Sequence, residues 1–86
     1  NLGLRGDAYV ELGNLEQGAA LYEQAANFSD NVATTPVYLK KAGMIHEQAG
    51  HAQQALQLYE RIRNEYPRSI PARDIEKFIA RAQQQL

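Results

Sequence analysis

Two histidines, His46 and His51, are the side chains best suited to metal or proton chemistry in this 86-residue chain, and Glu47 stands beside them. Imidazoles with a neighbouring carboxylate can ligate a transition metal or relay a proton near neutral pH. Their spacing of five, across a turn marked by Gly50, places the two rings on different parts of the surface by expectation, so no shared site is read from them. Asp7 and Glu11 form a like-charged pair four residues apart, as occurs in general acid–base sites. The same spacing is what a solvated helix face carries, and that reading is preferred. Ser29 and Ser69 lie in turn-like stretches with no His and acid completing a nucleophile motif, and helix capping accounts for Ser69. Gly3, Gly6 and Gly13 lack the strand and spacing of a phosphate-binding loop. No catalytic, cofactor-binding or metal-binding residue is assigned, and no cofactor is expected.

Composition narrows the class further. There are no cysteines, so neither a disulfide framework nor a thiolate metal site can reinforce a domain this small. Nine Lys+Arg stand against ten Asp+Glu, which gives no general attraction to nucleic acid or acidic lipid. The charge is unevenly spread: residues 1–59 carry three basic and six acidic side chains, residues 60–86 six and four. No apolar run approaches the ~20 residues needed to span a bilayer, and no signal peptide opens the chain. A start at Asn1 rather than Met reads as a piece of a longer protein.

Side chains of this kind need elements to position them, and the breaks between elements are clear. Gly13 and Gly50 suit the left-handed position after a helix, with Asn14 and His51 opening the next ones. Thr35-Pro36 reads as a cap followed by proline in the first turn, and Pro67 stops a helix at Glu65 or Tyr66. Ser69 is expected to cap a last helix that tolerates Pro71 in its first turn. Leu15, Gly18, Tyr22 and Ala25 step at helical spacing, as do Ala52, Ala55, Tyr59 and Ile62. Ile75, Phe78, Ile79 and Ala82 make the stripe of the last helix. Five helices follow, over 1–12, 15–27, 36–49, 52–65 and 70–84, with no strand.

The chain also repeats itself. Displaced by 37 residues, Gly6 falls on Gly43, Gly13 on Gly50, Gly18 on Ala55, Tyr22 on Tyr59 and Ala25 on Ile62. Residues 15–23 (LEQGAALYE) and 52–60 (AQQALQLYE) display the likeness directly. With Pro67, this ordered set resembles the tetratricopeptide repeat family. Small residues there let paired helices approach closely, and the tyrosines fill the space between pairs. The departures are Leu2 and Leu39 at an aromatic position, Arg5 for a leucine, His46 for a tyrosine and Asp30 for the closing proline. The linker Phe28–Thr34 is about three residues longer than a 34-residue repeat allows, so an altered stacking angle or an extended last turn around Asn27–Asn31 is expected. Residues 38–43 and 72–82 resemble, more narrowly, the C-terminal part of Bacteroidetes-type bacterial tetratricopeptide proteins, which implies the periplasmic face of a membrane-anchored parent.

The resemblance implies an all-α, antiparallel helix-pair solenoid: one domain with repeats over 1–31 and 32–68 and a capping helix over 69–86. It implies a non-enzymatic interaction scaffold whose first helices line a groove for a protein or peptide partner. By match to the family the groove contains Asp7, Val10 and Glu11, then Val37, Lys40, Lys41, Met44 and Glu47. Lys40 and Lys41 match part of the carboxylate clamp some members carry, but Met44 replaces its asparagine and Asp7 adds a repulsive charge, so no clamp is assigned. Arg73, Lys77 and Arg81 form a basic stripe on the last helix, read as the polar outer face of a cap rather than a lipid or protein contact. No nucleic-acid or membrane partner is expected of these residues. The face around Leu2, Leu4, Tyr9 and Leu12 has no cap and is expected to meet an upstream repeat or a second copy. A structural, self-associating module with an idle groove is the alternative function.

Overall fold

The computed structural model describes residues 1–28 and 31–86; the readings at Ser29 and Asp30 lie outside the described residues. Among the described residues five α-helices follow one another: α1 (Leu2–Glu11), α2 (Leu15–Phe28), α3 (Thr35–Gln48), α4 (Ala52–Glu65) and α5 (Ile75–Gln84), with a 3₁₀ turn over Ile70–Asp74 ahead of α5. Successive helices pack antiparallel as α1–α2, α3–α4 and a single closing α5, in a slab of 29 × 29 × 15 Å.

Each pair turns by the same device. Gly13 and Gly50 adopt φ of 81° and 82°, where a side chain would be strained. Asn14 N–H reaches back to the Tyr9 carbonyl (2.8 Å) and His51 N–H to that of His46 (2.7 Å), closing both helices with a Schellman-type bond. The following helices begin differently. Asn14 Oδ1 accepts from Gln17 N–H at 3.3 Å, whereas the His51 side chain makes no capping bond, in keeping with the poor capping ability of imidazole.

Two starts differ from expectation. Thr35 is already helical; its hydroxyl donates to the Ala26 carbonyl and accepts from Asn31 N–H, tying the α3 entrance to the end of α2. The cap-like contacts come instead from Asn31 Oδ1, which accepts from Ala33 and Thr34 N–H. Ser69 makes no cap either, because its hydroxyl donates to the Tyr66 carbonyl at 2.7 Å. The last helix therefore starts as a 3₁₀ turn. Pro71 has no N–H to give and disfavours α geometry at Ile70, so Ala72 N–H bonds Ser69 O and regular α geometry waits until Ile75.

Most of the core lies on the C-terminal side. Leu39, Leu56, Tyr59, Ile62, Tyr66, Ile75 and Ile79 pack together with Ala26, Ala55 and Ala82. A second cluster, Ala19, Tyr22, Ala42 and Ile45, joins the first pair to the second. Its alanines let α2 and α3 approach closely, at the cost of less apolar area than the larger cluster supplies.

Candidate interaction surface

The expected groove residues sit on α1 and α3, and their positions depend on two tyrosines. Tyr22 lies over Gly6: a Cβ there would stand 3.1 Å from the ring. Tyr59 lies over Gly43 more tightly, at 2.5 Å from the same imaginary atom. Each hydroxyl ends on a carboxylate of the first helix in its own pair: Tyr22 donates to Asp7, and Tyr59 donates to Glu47 at 2.5 Å. Each ring also faces the next helix along. Tyr22 stacks on Tyr38 with centroids 6.4 Å apart, and Tyr59 meets the edge of Phe78 at 5.5 Å.

Glu47 is held by more than Tyr59. Arg81 Nη2 and Nε donate to its two oxygens at 2.7 and 2.9 Å, and Gln85 adds a bond at 3.0 Å. Its side chain is 9% exposed. Burial pushes the Glu47 carboxyl up, but the bonds from Arg81, Tyr59 and Gln85 outweigh burial and hold it below the usual range. Burial, then the Glu47 carboxylate, push the Tyr59 hydroxyl in the opposite direction, upward. Arg81 therefore belongs to an interhelical ion pair rather than to the solvated stripe expected on α5.

Lys40 is engaged in the same seam. Its Nζ donates to Asp74 at 2.6 Å and to the Pro71 carbonyl at 3.2 Å, and lies 4.4 Å from the Phe78 ring centre. The Lys40 ammonium holds the Asp74 carboxyl below the usual range. Arg81 and Lys77 also approach that ring, at 4.7 and 5.7 Å. The aromatic edge of α5 is thus bordered by three cations.

The eight expected residues consequently divide. Asp7, Lys40 and Glu47 are bonded within the molecule. Val37 (40% exposed) and Met44 (42%) stand open on α3 with exposed Lys41 between them, while Val10 is half-buried and Glu11 exposed on α1. Lys41 Nζ lies 5.5 Å from the Tyr22 ring centre, which links the α3 stripe to the first pair.

Two features escaped the sequence reading. The His46 and His51 rings are 5.9 Å apart, not separated, because the Gly50 turn folds the start of α4 back beside the end of α3. They face Glu23 and Glu16 on α2. Among the described residues no group of three or more His, Cys, Asp or Glu is arranged to hold a metal ion. The second is an open apolar cleft of 640 Å³, lined by Leu2, Ala25, Phe28 and Tyr38 among others. It joins the ends of three helices, which no single-helix periodicity could display.

Among the described residues no helix is long and apolar enough to cross a membrane. Neither the curated proteins nor the solved structures give a match to the chain. The tetratricopeptide repeat family, whose repeats in general mediate protein–protein interactions, matches residues 39–69, from the first turns of α3 to just past Pro67. The glycine under Tyr59, the small Ala55 and the closing proline all fall inside that match, so the α3–α4 pair is similar to a tetratricopeptide repeat.

Proposed function

We propose that the chain is a non-enzymatic protein-binding module, with residues 1–31 and 32–68 as two repeats and 69–86 as the cap. Its ligand is an extended or helical peptide lying along α1 and α3. The observation that carries this reading is the stripe Val37–Lys41–Met44. Spaced by four and three, these residues share one face of α3, between the side bonded to α5 and the side packed on α2. Two exposed apolar side chains flank a cation there, with exposed Glu11 on α1. Such a surface offers apolar area for a ligand and mixed charge for orienting it.

The test is affinity capture by the chain and by a Val37→Ser/Lys41→Glu/Met44→Ser variant with an unchanged circular dichroism spectrum. Recovery of a bound protein by the first and its loss from the second supports the reading; equal recovery from both sinks it.

A second reading, self-association without a dedicated ligand, draws on α1. That helix packs on α2 and leaves Leu4 (67%) and Leu12 (82%) exposed. Light scattering decides it: a concentration-dependent mass that collapses to the monomer on replacing Leu4 and Leu12 by serine favours association through α1. A monomer at every concentration excludes it.

A further inference from the structure

Permanent charge is divided between the two ends of the helix array. α1 and α2 carry Asp7, Glu11, Glu16 and Glu23 against Arg5 alone. α3, the 3₁₀ turn and α5 carry Lys40, Lys41, Arg73, Lys77 and Arg81 against Glu47, Asp74 and Glu76. Each of these three carboxylates is already matched: Glu47 by Arg81, Asp74 by Lys40, and Glu76 by Arg63 of α4 at 3.6 Å. Lys41, Arg73 and Lys77 are exposed and form no ion pair among the described residues. The chain as a whole carries −1, so this cationic excess comes from placement and not from composition.

Apolar surface runs through the same patch. An open recess of 520 Å³ lies between α3 and the 3₁₀ turn, lined by Val37, Ile70 and Pro71 together with Lys40, Arg73 and Asp74. Val37 is 40% exposed and Ile70 72%. Val37 belongs both to this recess and to the Val37–Lys41–Met44 stripe, which joins the two into one surface. Lys77 borders it through the Phe78 ring that it shares with Lys40. Lys40 would have to release Asp74 to receive a ligand's carboxylate. Arg73 and Lys77 have no ion pair to give up, so a carboxylate arriving there gains charge without breaking one. A nucleic-acid or lipid surface draws on many cations at once, and three beside an acidic α1 suit a short segment better.

We propose that the ligand is an acidic peptide segment with apolar side chains, running from the α3 stripe onto the cap; this rests on the groove reading above. Its apolar side chains enter the recess beside Val37 and Ile70, and its side-chain carboxylates lie over Arg73 and Lys77. Asp7 and Glu11 repel the acidic end from α1, so the division of charge also sets the direction of the ligand.

Fluorescence anisotropy tests this with a fluorescein-labelled, end-blocked peptide of three Glu-Glu-Leu units. Extended, its roughly nine residues cover about 30 Å, enough to cross the 29 Å face. Blocked ends keep a terminal carboxylate from contributing. The expected result is binding at least about tenfold tighter than to copies with Lys for Glu or Ser for Leu, weakening as salt rises from about 50 to about 300 mM. Arg73→Glu/Lys77→Glu and Val37→Ser/Lys41→Glu/Met44→Ser should each lose about tenfold or more with unchanged circular dichroism. Should charge reversal unfold the cap, Arg73→Gln/Lys77→Gln takes its place, with a loss of several-fold expected. No binding, or equal binding of the Lys or Ser copy, overturns the proposal. Loss in the stripe variant alone overturns the cap's share and leaves the groove reading standing. Loss in the cap variant alone removes the groove from the site and sinks both. Sedimentation with phosphatidylcholine vesicles containing about 30% phosphatidylserine, in place of peptide binding, would make the patch a lipid contact and overturn the proposal.

Discussion

Tyr22 and Tyr59 occupy matching positions in the two helix pairs, each laid over a glycine with its hydroxyl on a carboxylate, yet their surroundings differ. Asp7 stands one residue after Gly6, whereas Glu47 stands four residues after Gly43. The residue matching Asp7 is Met44, and the one matching Glu47 is Val10. The tyrosine packing is thus kept while the carboxylate that receives the hydroxyl moves by one helical turn. That shift matters because the Glu47 position faces the next helix along, where Arg81 and Gln85 reach it. The second pair is buttressed on both sides, by α2 and by α5, while among the described residues α1 has α2 alone as a large packing partner. A repeat array is built from such neighbour contacts, so stability should fall from the second pair to the first.

Removing the rings is the strongest way to break this comparison. Tyr59→Ala empties a fully buried site and should cost about 3–5 kcal/mol, with Tyr22→Ala costing less because α1 can settle onto α2. Urea unfolding measures both, and equal losses would mean that the two pairs are equally supported. Adding a methyl group beneath the rings comes next. Gly43→Ala forces the Tyr59 ring to move and should cost about 1–3 kcal/mol, against a smaller loss for Gly6→Ala, where the ring stands farther off.

A third change sharpens the role of Glu47. Its folded carboxyl is held below the ordinary value of 4.5, so its contribution is present above that value and is lost as pH falls through the lowered one. In an acid titration of stability, Glu47→Gln should remove part of this loss and also destabilise the neutral-pH fold by about 1–3 kcal/mol through the stranded Arg81. An unchanged acid limb would show that α5 is held by its apolar face alone. The smallest effect concerns the helix starts. Asn14→Ala should cost about 0.5–1 kcal/mol by removing the bond to Gln17 N–H, whereas no equivalent cap exists to lose at His51.

Local chemistry carried most of the helical layout. Gly13 and Gly50 marked two turns because only a residue without Cβ takes that backbone angle freely, and the spacing of Leu15, Gly18, Tyr22 and Ala25 described a helix face directly. The 37-residue repeat offset pairs Tyr22 with Tyr59 from the sequence alone. The entrance to α5 was less legible, since Ser69 had two acceptable partners and took the Tyr66 carbonyl over a cap. Of the eight expected surface residues, the sequence alone could not separate Lys40 from Lys41. They are neighbours in the chain, but one helical step of about 100° turns Lys40 toward Asp74 and leaves Lys41 exposed.

By itself, then, the sequence determined the helices, their turns and the repeating glycine–tyrosine plan, because each depends on residues within one or two turns of one another. Only the tertiary structure decided which charges are internal. Glu47 with Arg81, Lys40 with Asp74, and the two histidines with Glu16 and Glu23 are brought together across helices by packing. A side chain many residues away has no periodicity that announces its partner; the packing angle of the apolar faces settles the pairing.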